Sequence, residues 1–368
     1  MIRFSQKLGP TSVLLLLAIV AYSLTLWADR ARVVAPTAWH DAKIEAASTM
    51  EQARELLVAH GPIVGESTSP ITTLDADPQT KRSVWNPNVA AFVVEQLTQA
   101  GVRRGDKIAV GLSGSYPGMN VALLAACNAL EVEPIVITSV AASAYGANDP
   151  DFHWLEMERR LHDAALVPVR SVAASMGGAD DRARGLLPAG RDLLREAIAR
   201  SDVPAIVERD LESSIRRRYD LYASFVREDL NGYQLYINIG GGLASLGQPG
   251  AGDTIATGLV PSLQIEGYAQ PGVAHWFAEH NVPVLNLRNM PQLFRDAALD
   301  SPIGAGPLYV SERHDLRVVV FSLVLMALLL TLAYRAHRAS RRRKEQELYE
   351  PMGGERTSNP QMDDTHVA

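Results

Sequence analysis

The feature that most constrains this chain is an apolar run near its C-terminal end. Residues 318–334 have the sequence VVVFSLVLMALLLTLAY, with Arg317 before them and six cations between Arg335 and Lys344 after them. A run of this length and uniformity, bounded by positive charge, is typical of a transmembrane helix and is difficult to place in a soluble core. We therefore predict that residues 317–334 cross a membrane and that the cations act as its stop-transfer block, rather than as a lipid-specific or nucleic-acid site.

Residues 13–28 form a second apolar segment, which follows Arg3 and Lys7. We interpret it as a signal anchor. The alternative is a signal peptide cleaved after Ala28, which Leu26 disfavours because the position two residues before Ala28 would usually hold a small residue. The positive-inside rule puts both chain ends in the cytoplasm. The expected protein spans the inner or plasma membrane twice, with its central domain exported.

These segments divide the chain into six parts. The expected parts are a cytoplasmic N-terminus (1–12), a transmembrane helix (13–28), a membrane-proximal helix with a linker (29–88), an exported α/β domain (89–312), a second transmembrane helix (317–334) and a cytoplasmic tail (335–368) that is basic and, from residue 345, disordered. The formal net charge of −6 hides an uneven distribution, since residues 13–316 carry 25 cations and 35 acids. An exported part of net charge −10 argues against a nucleic-acid groove.

The exported part alternates short apolar strands with helices. The strands are predicted at 107–113, 134–140, 167–172, 233–239 and 282–288, and the helices at 39–60, 89–100, 118–130, 151–164, 190–199 and 273–280. Such alternation predicts an α/β fold with a largely parallel sheet flanked by helices, as one domain or as two lobes divided near residues 201–231. The single cysteine, Cys127, excludes internal disulfides and is expected to be a small buried hydrophobe.

Three loops after predicted strands are candidates for a ligand site, because ligands bind beyond the carboxyl ends of parallel strands. Glycine amides and short polar side chains in such loops suit a carboxylate or phosphate group. Tight turns explain the same glycines equally well, and a ligand site is expected only if the loops line one cleft. Neither glycine loop has a nucleotide-binding motif, and no cofactor or metal is predicted. The candidate ligand-binding residues are Ser113, Gly114, Ser115, Tyr116, Asn120, Tyr145, Gly240, Gly241, Gly242 and Ser245.

Nucleophilic catalysis has three candidate residues. Ser113 and Ser115 lie at a predicted strand–turn–helix junction, although GLSGS lacks the second glycine of a hydrolase elbow. His153 is the nearest candidate base. The run from Arg216 to Arg218 is interpreted as a solvated helix face, and His275 and His280 are five residues apart on a helix, which argues against a shared metal site.

Three stretches resemble a known family. They are GLSGSYPGMNVALLAACNAL from residue 111, SVAASAYGANDPDFHWLEME from residue 139 and INIGGGLASLG from residue 237. They are similar to the membrane proteins called poly-gamma-glutamate system proteins. The resemblance implies an accessory protein of poly-gamma-glutamate synthesis or export, with membrane subunits of the poly-gamma-glutamate synthase as partners and the anionic polymer as a candidate ligand.

The resemblance assigns no catalytic residue, so a non-enzymatic role is favoured. The competing function is an exported serine hydrolase or transpeptidase that acts on gamma-glutamyl or cell-wall peptides. A third is a solute-binding sensor that signals through the basic tail.

Overall fold

The computed structural model describes residues 10–227, 229–248, 255–262, 270–296 and 310–349. The chain divides into two compact units, one made of its two ends (Met1–Ala35 and Glu312–Ala368) and a central unit, Pro36–Ser311. The helices are α1 (Pro10–Arg30), α2 (His40–Val58), α3 (Pro78–Ser83), α4 (Asn88–Gln99), α5 (Pro117–Leu130), α6 (Trp154–Asp163), α7 (Pro188–Arg200), α8 (Leu211–Ser224), α9 (Leu243–Leu246), α10 (Val273–Glu279), α11 (Met290–Asp296) and α12 (Leu316–Tyr349). The strands are β1 (Arg32–Pro36), β2 (Lys107–Ser113), β3 (Glu133–Ser139), β4 (Ala173–Ser175), β5 (Leu235–Ile239), β6 (Gly258–Val260), β7 (Val284–Leu287) and β8 (Val310–His314).

The unit made of the chain ends contains two long apolar helices. Among the described residues, α1 and α12 are the two helices that are long and apolar enough to cross a membrane. They pack edge to face at Trp27 and Phe321, whose ring centroids are 6.0 Å apart. The adjoining strands β1 and β8 pair with each other. The prediction of two helices able to span a membrane is confirmed.

Helix α12 extends well beyond its apolar part. Its 34 residues rise about 50 Å, which exceeds the roughly 30 Å hydrocarbon layer of a bilayer. The basic block therefore continues the same helix rather than beginning a separate tail. Residues 345–349, expected to be disordered, belong to this helix, and the expected disorder of residues 350–368 lies outside the described residues.

The central unit is built on a six-stranded, mostly parallel sheet, as far as the described residues show. The strand order is β4-β3-β2-β5-β7-β6, and only β6 runs antiparallel to its neighbour. Strand β2 lies in the middle and pairs with β3 on one side and with β5 on the other. Strands β3 and β4 therefore extend the sheet on one side of β2. The later strands β5, β6 and β7 then form the sheet on its other side.

Both faces of the sheet are covered, because alternate residues of each strand enter different cores. On β2, Ile108 and Val110 belong to the core beneath α2, α4, α5, α6 and α7, whereas Ala109 belongs to the core beneath α8 and α10. All three side chains are fully buried. This pattern is the one expected for a parallel sheet covered by helices on both sides, and it confirms the predicted α/β fold.

Two further sequence predictions differ from the structure. The prediction of a strand at 167–172 is wrong, because the strand in this region is β4, Ala173–Ser175. The reason is Glu158, whose buried carboxylate accepts the Ser171 N–H at 2.9 Å and the Ser171 hydroxyl at 2.8 Å and so removes this backbone group from strand pairing. The linker ending at residue 88 also contains a helix, α3. Asp77 caps it through the Thr80 N–H, and Pro78 occupies its first turn.

Candidate functional site

The candidate site lies where the strand order reverses. Strands β2 and β5 are neighbours, but the connections that follow them lead to opposite faces of the sheet. In an open parallel sheet this separation leaves a crevice beyond the carboxyl ends of the two strands. The loops after Ser113 and Ile239 border that crevice.

The inner part of the crevice is a small polar cavity. Its volume of about 10 Å³ is close to the space that one water molecule needs. Two hydroxyls in its wall bond each other, since Tyr236 Oη and Ser245 Oγ are 2.6 Å apart. The lining residues are Gly111, Leu112, Ser113, Ile137, Ser139, Arg218, Tyr222, Tyr236, Asn238, Ile239, Gly242 and Ser245.

Two of the three predicted loops therefore meet. Ser113, Gly242 and Ser245 line the same cavity. Gly240 packs against Ser113 and has a left-handed backbone conformation (φ +83°). A Cβ at Gly240 would lie 3.2 Å from Ser113 Cβ. A Cβ at Gly241 would have no neighbour within 4 Å, so space does not restrict that position.

The first loop also has a structural role. A Cβ at Gly114 would lie 2.3 Å from the Val140 carbonyl oxygen, so only glycine fits there. The buried Asn120 side chain donates from Nδ2 to the Ser113 carbonyl at 2.9 Å, which ties α5 to the end of β2. Ser115 Oγ accepts the Ser143 N–H at 3.0 Å. Gly114 and Asn120 therefore support the turn between β2 and α5, and neither residue lines the cavity.

The third predicted loop lies to one side. Tyr145 has a left-handed backbone (φ +59°) and donates its N–H to the Glu66 carbonyl, and it is not among the cavity-lining residues. His153 immediately precedes α6, is 2% exposed and has a buried Nδ1 without a hydrogen-bond partner among the described residues. Burial lowers the pKa of its imidazole to about 4. Its ring bonds neither Ser113 nor Ser115, so these three residues do not form a triad.

A buried charge network borders the inner cavity through Arg218, and the sequence analysis missed it. Arg218 Nη1 donates to Asp181 Oδ2 at 2.6 Å, and Nη2 donates to Asp181 Oδ1 at 3.2 Å and to Ser175 Oγ at 2.8 Å. Ser214 Oγ donates to Asp181 Oδ2 at 2.5 Å. The network joins β4, α8 and the loop at 177–185, where Asp181 adopts a left-handed backbone (φ +58°).

The interpretation of residues 216–218 as a solvated face is wrong at Arg218. Arg216 and Arg217 are exposed, whereas Arg218 is 4% exposed. It falls four residues before Tyr222 on the buried stripe of α8, which also contains Ile215. The helical spacing of this stripe was the signal that could have separated Arg218 from its neighbours.

Lys81 of α3 is the second residue that sequence reasoning missed. It is 2% exposed, and its Nζ donates to the Ser115 carbonyl at 2.5 Å and contacts Ser143 Oγ at 2.8 Å. The same Nζ lies 3.5 Å from the centroid of the Tyr116 ring. Burial lowers the pKa of Lys81 to about 7. Lys81 thus connects the loop after β2 with the loop after β3 and covers one face of Tyr116.

A larger cavity of about 600 Å³ opens beside Tyr116. This volume is within the range of small-molecule sites. Lys81 covers one face of the Tyr116 ring, so this face is closed to a ligand. The cavity, called the outer cavity below, is lined by Tyr116, Ile255, Ala256, Thr257, Arg288, Asn289, Pro291 and Gln292.

The described residues contain no group of three or more His, Cys, Asp or Glu side chains arranged to hold a metal ion. Cys127 is buried, as predicted. The chain matches no protein-family model, no curated protein and no solved structure.

Proposed function

We propose that this protein is a membrane-anchored accessory subunit of poly-gamma-glutamate synthesis or export, in which the central unit lies outside the cytoplasm and binds the polymer. In this proposal both chain ends are cytoplasmic, as the cations before α1 and within α12 favour. Ligation would then belong to a cytoplasmic partner. The central unit would receive the polymer as it leaves the membrane subunits of the synthase.

The observation that carries the proposal is the outer cavity at the carboxyl edge of the sheet. Arg288 supplies a cation to its wall, and Asn289 and Gln292 supply amide groups. A cation and amide groups of this kind can bind a carboxylate that is carried by a flexible polar polymer. The central unit has an excess of acids, so it would attract a polyanion only at such local sites and would release it readily elsewhere.

Deletion of the gene tests the proposed role in the cell. We expect surface polymer to be lost or mislocalised, while ligase activity in cell extracts remains, because this chain would act after ligation. Immunodetection of surface poly-gamma-glutamate and an extract assay measure the two quantities. Surface polymer at the normal level and location in the deletion strain would reject the proposal.

Arg288→Gln tests the outer cavity. We expect the full-length protein in detergent micelles to bind short gamma-linked glutamate oligomers about five- to tenfold more weakly after this change, as the loss of about 1 kcal/mol of charge interaction implies. Fluorescence anisotropy with a labelled oligomer measures the dissociation constant, and its salt dependence should also decrease.

Arg295→Gln is the matched control, because Arg295 is an exposed cation on α11 that does not line the cavity. An equal loss of affinity in both variants would mean that general charge, and not the outer cavity, binds the oligomer.

A further inference from the structure

We propose that Ser143 and Lys81 form a nucleophile and general-base pair that performs acyl transfer on a carboxylic ester or amide. This activity goes beyond the binding role proposed above and uses residues that do not line either cavity.

The first support is the geometry of the pair. Lys81 Nζ is 2.8 Å from Ser143 Oγ, a hydrogen-bond distance suitable for proton transfer. A second hydrogen bond, from Nζ to the Ser115 carbonyl at 2.5 Å, fixes the amine in place. With one N–H used on that carbonyl, the neutral amine has its lone pair available for the Ser143 hydroxyl proton.

The second support is the electrostatic setting of the lysine. Lys81 is 2% exposed and makes no ion pair with a carboxylate among the described residues. The nearby titratable groups are the Tyr116 phenol, whose pKa is raised by burial and by Asp77, and Asp77 itself, whose pKa is lowered by its bonds to Thr80. Burial lowers the pKa of Lys81 to about 7, so a substantial fraction is the neutral base at physiological pH.

The third support is the position of Ser143. It is 7% exposed, whereas Lys81 behind it is nearly inaccessible. Ser143 lies on the loop after β3, and its N–H bonds Ser115 Oγ at 3.0 Å. Ser115 in turn donates its N–H to Ser113 Oγ, which lines the inner cavity. The serine therefore lies at the same edge of the sheet as the binding crevice.

The chemical step balances with water as the co-reactant. Ser143 Oγ bonds to the carbonyl carbon while its proton moves to Lys81 Nζ. The ammonium returns this proton to the leaving alcohol or amine as the C–O or C–N bond breaks. Water then attacks the acyl carbon and gives a proton to Lys81, which passes it to Ser143 Oγ as the acyl–oxygen bond breaks.

A fluorophosphonate probe tests the pair on the full-length protein in detergent micelles, with peptide mass mapping to locate the adduct. We expect the adduct on Ser143, with a labelling rate that reaches half its maximum near pH 7. Ser143→Ala should abolish this adduct, and Lys81→Met should slow its formation at least tenfold. The matched controls are Ser83→Ala and Arg82→Met on the same helix α3, which should label as the wild-type protein does.

Three results would overturn the proposal. They are a folded wild-type protein without an adduct on Ser143 between pH 6 and pH 9, an adduct on Ser115 instead, and undiminished labelling in Lys81→Met. If Lys81→Met does not fold, the wild-type pH profile decides. A rate that levels off above pH 7 supports the pair, and a rate that keeps rising about tenfold per pH unit to pH 9 rejects it, because it would indicate attack without a base of lowered pKa.

Discussion

Asp181→Ala is expected to destabilise the central unit by about 3–5 kcal/mol, because it leaves the guanidinium of Arg218 buried without its counter-charge. Arg218 and Asp181 are each about nine-tenths buried or more, and the carboxylate also accepts hydrogen bonds from Ser175 and Ser214. Urea unfolding of the full-length chain in detergent micelles, followed by circular dichroism, measures the loss.

Asp180→Ala is the control for this experiment. Asp180 is adjacent and also has a left-handed backbone (φ +55°), so replacement by alanine carries the same conformational cost. Its ion pair with Arg184 is largely exposed, so it should cost no more than about 1 kcal/mol. A double variant, Asp181→Ala with Arg218→Met, should recover part of the stability because no uncompensated charge remains. Equal destabilisation by Asp180→Ala and Asp181→Ala would contradict the assignment.

Lys81→Met is expected to remove a pH dependence of stability between pH 7 and pH 9.5. The pKa of Lys81 falls from 10.5 to about 7 in the folded protein. The unfolded chain therefore binds more protons in this interval, and the stability of the wild-type protein rises with pH by up to about 1.4 kcal/mol per unit. The contribution is complete above pH 10.5 and is lost as pH falls toward 7.

The same unfolding experiment, repeated across this pH interval, measures the slope. Arg82→Met is the matched control, since Arg82 is an exposed cation on the same helix and should leave the slope unchanged. Glu158 titrates in a lower interval, because burial raises its pKa from 4.5 to about 7. It contributes stability that is complete below pH 4.5 and is lost as pH rises toward 7. A wild-type slope that persists in Lys81→Met would contradict the prediction.

Periodicity of apolar residues was sufficient to predict the α/β class of the central unit and four of the six strands of its sheet. The strand at 107–113 has the predicted bounds, and β3, β5 and β7 begin and end within two residues of the prediction. Strand β6 was not predicted, and the strand predicted at 167–172 lies instead at Ala173–Ser175. There the competing interaction is a side chain: Glu158 bonds the backbone of Ser171. No local sequence pattern predicts such a contact, because Glu158 and Ser171 come together only once α6 has packed.

The candidate site was predictable in part for a similar reason. Loops that follow parallel strands share one edge of the sheet, so the meeting of Ser113 with Gly240 and Ser245 follows from the strand order. Lys81 was not predictable, because it belongs to a segment that precedes the sheet and reaches the site only by packing against two loops. Its lowered pKa depends on that burial and not on its sequence neighbours.

The pairing of β1 with β8 has a consequence for modularity. Adjacent strands are separated by about 4.8 Å, so the chain leaves and re-enters the unit made of the chain ends at nearly the same point. In chain order, this unit is equivalent to a helical hairpin of α1 and α12 with the central unit inserted between the two helices. We expect that another domain can replace the central unit at this point, because a domain with neighbouring termini needs no long connector. The smallest form of this unit would be α1 and α12 joined by a short linker in place of Pro36–Ser311.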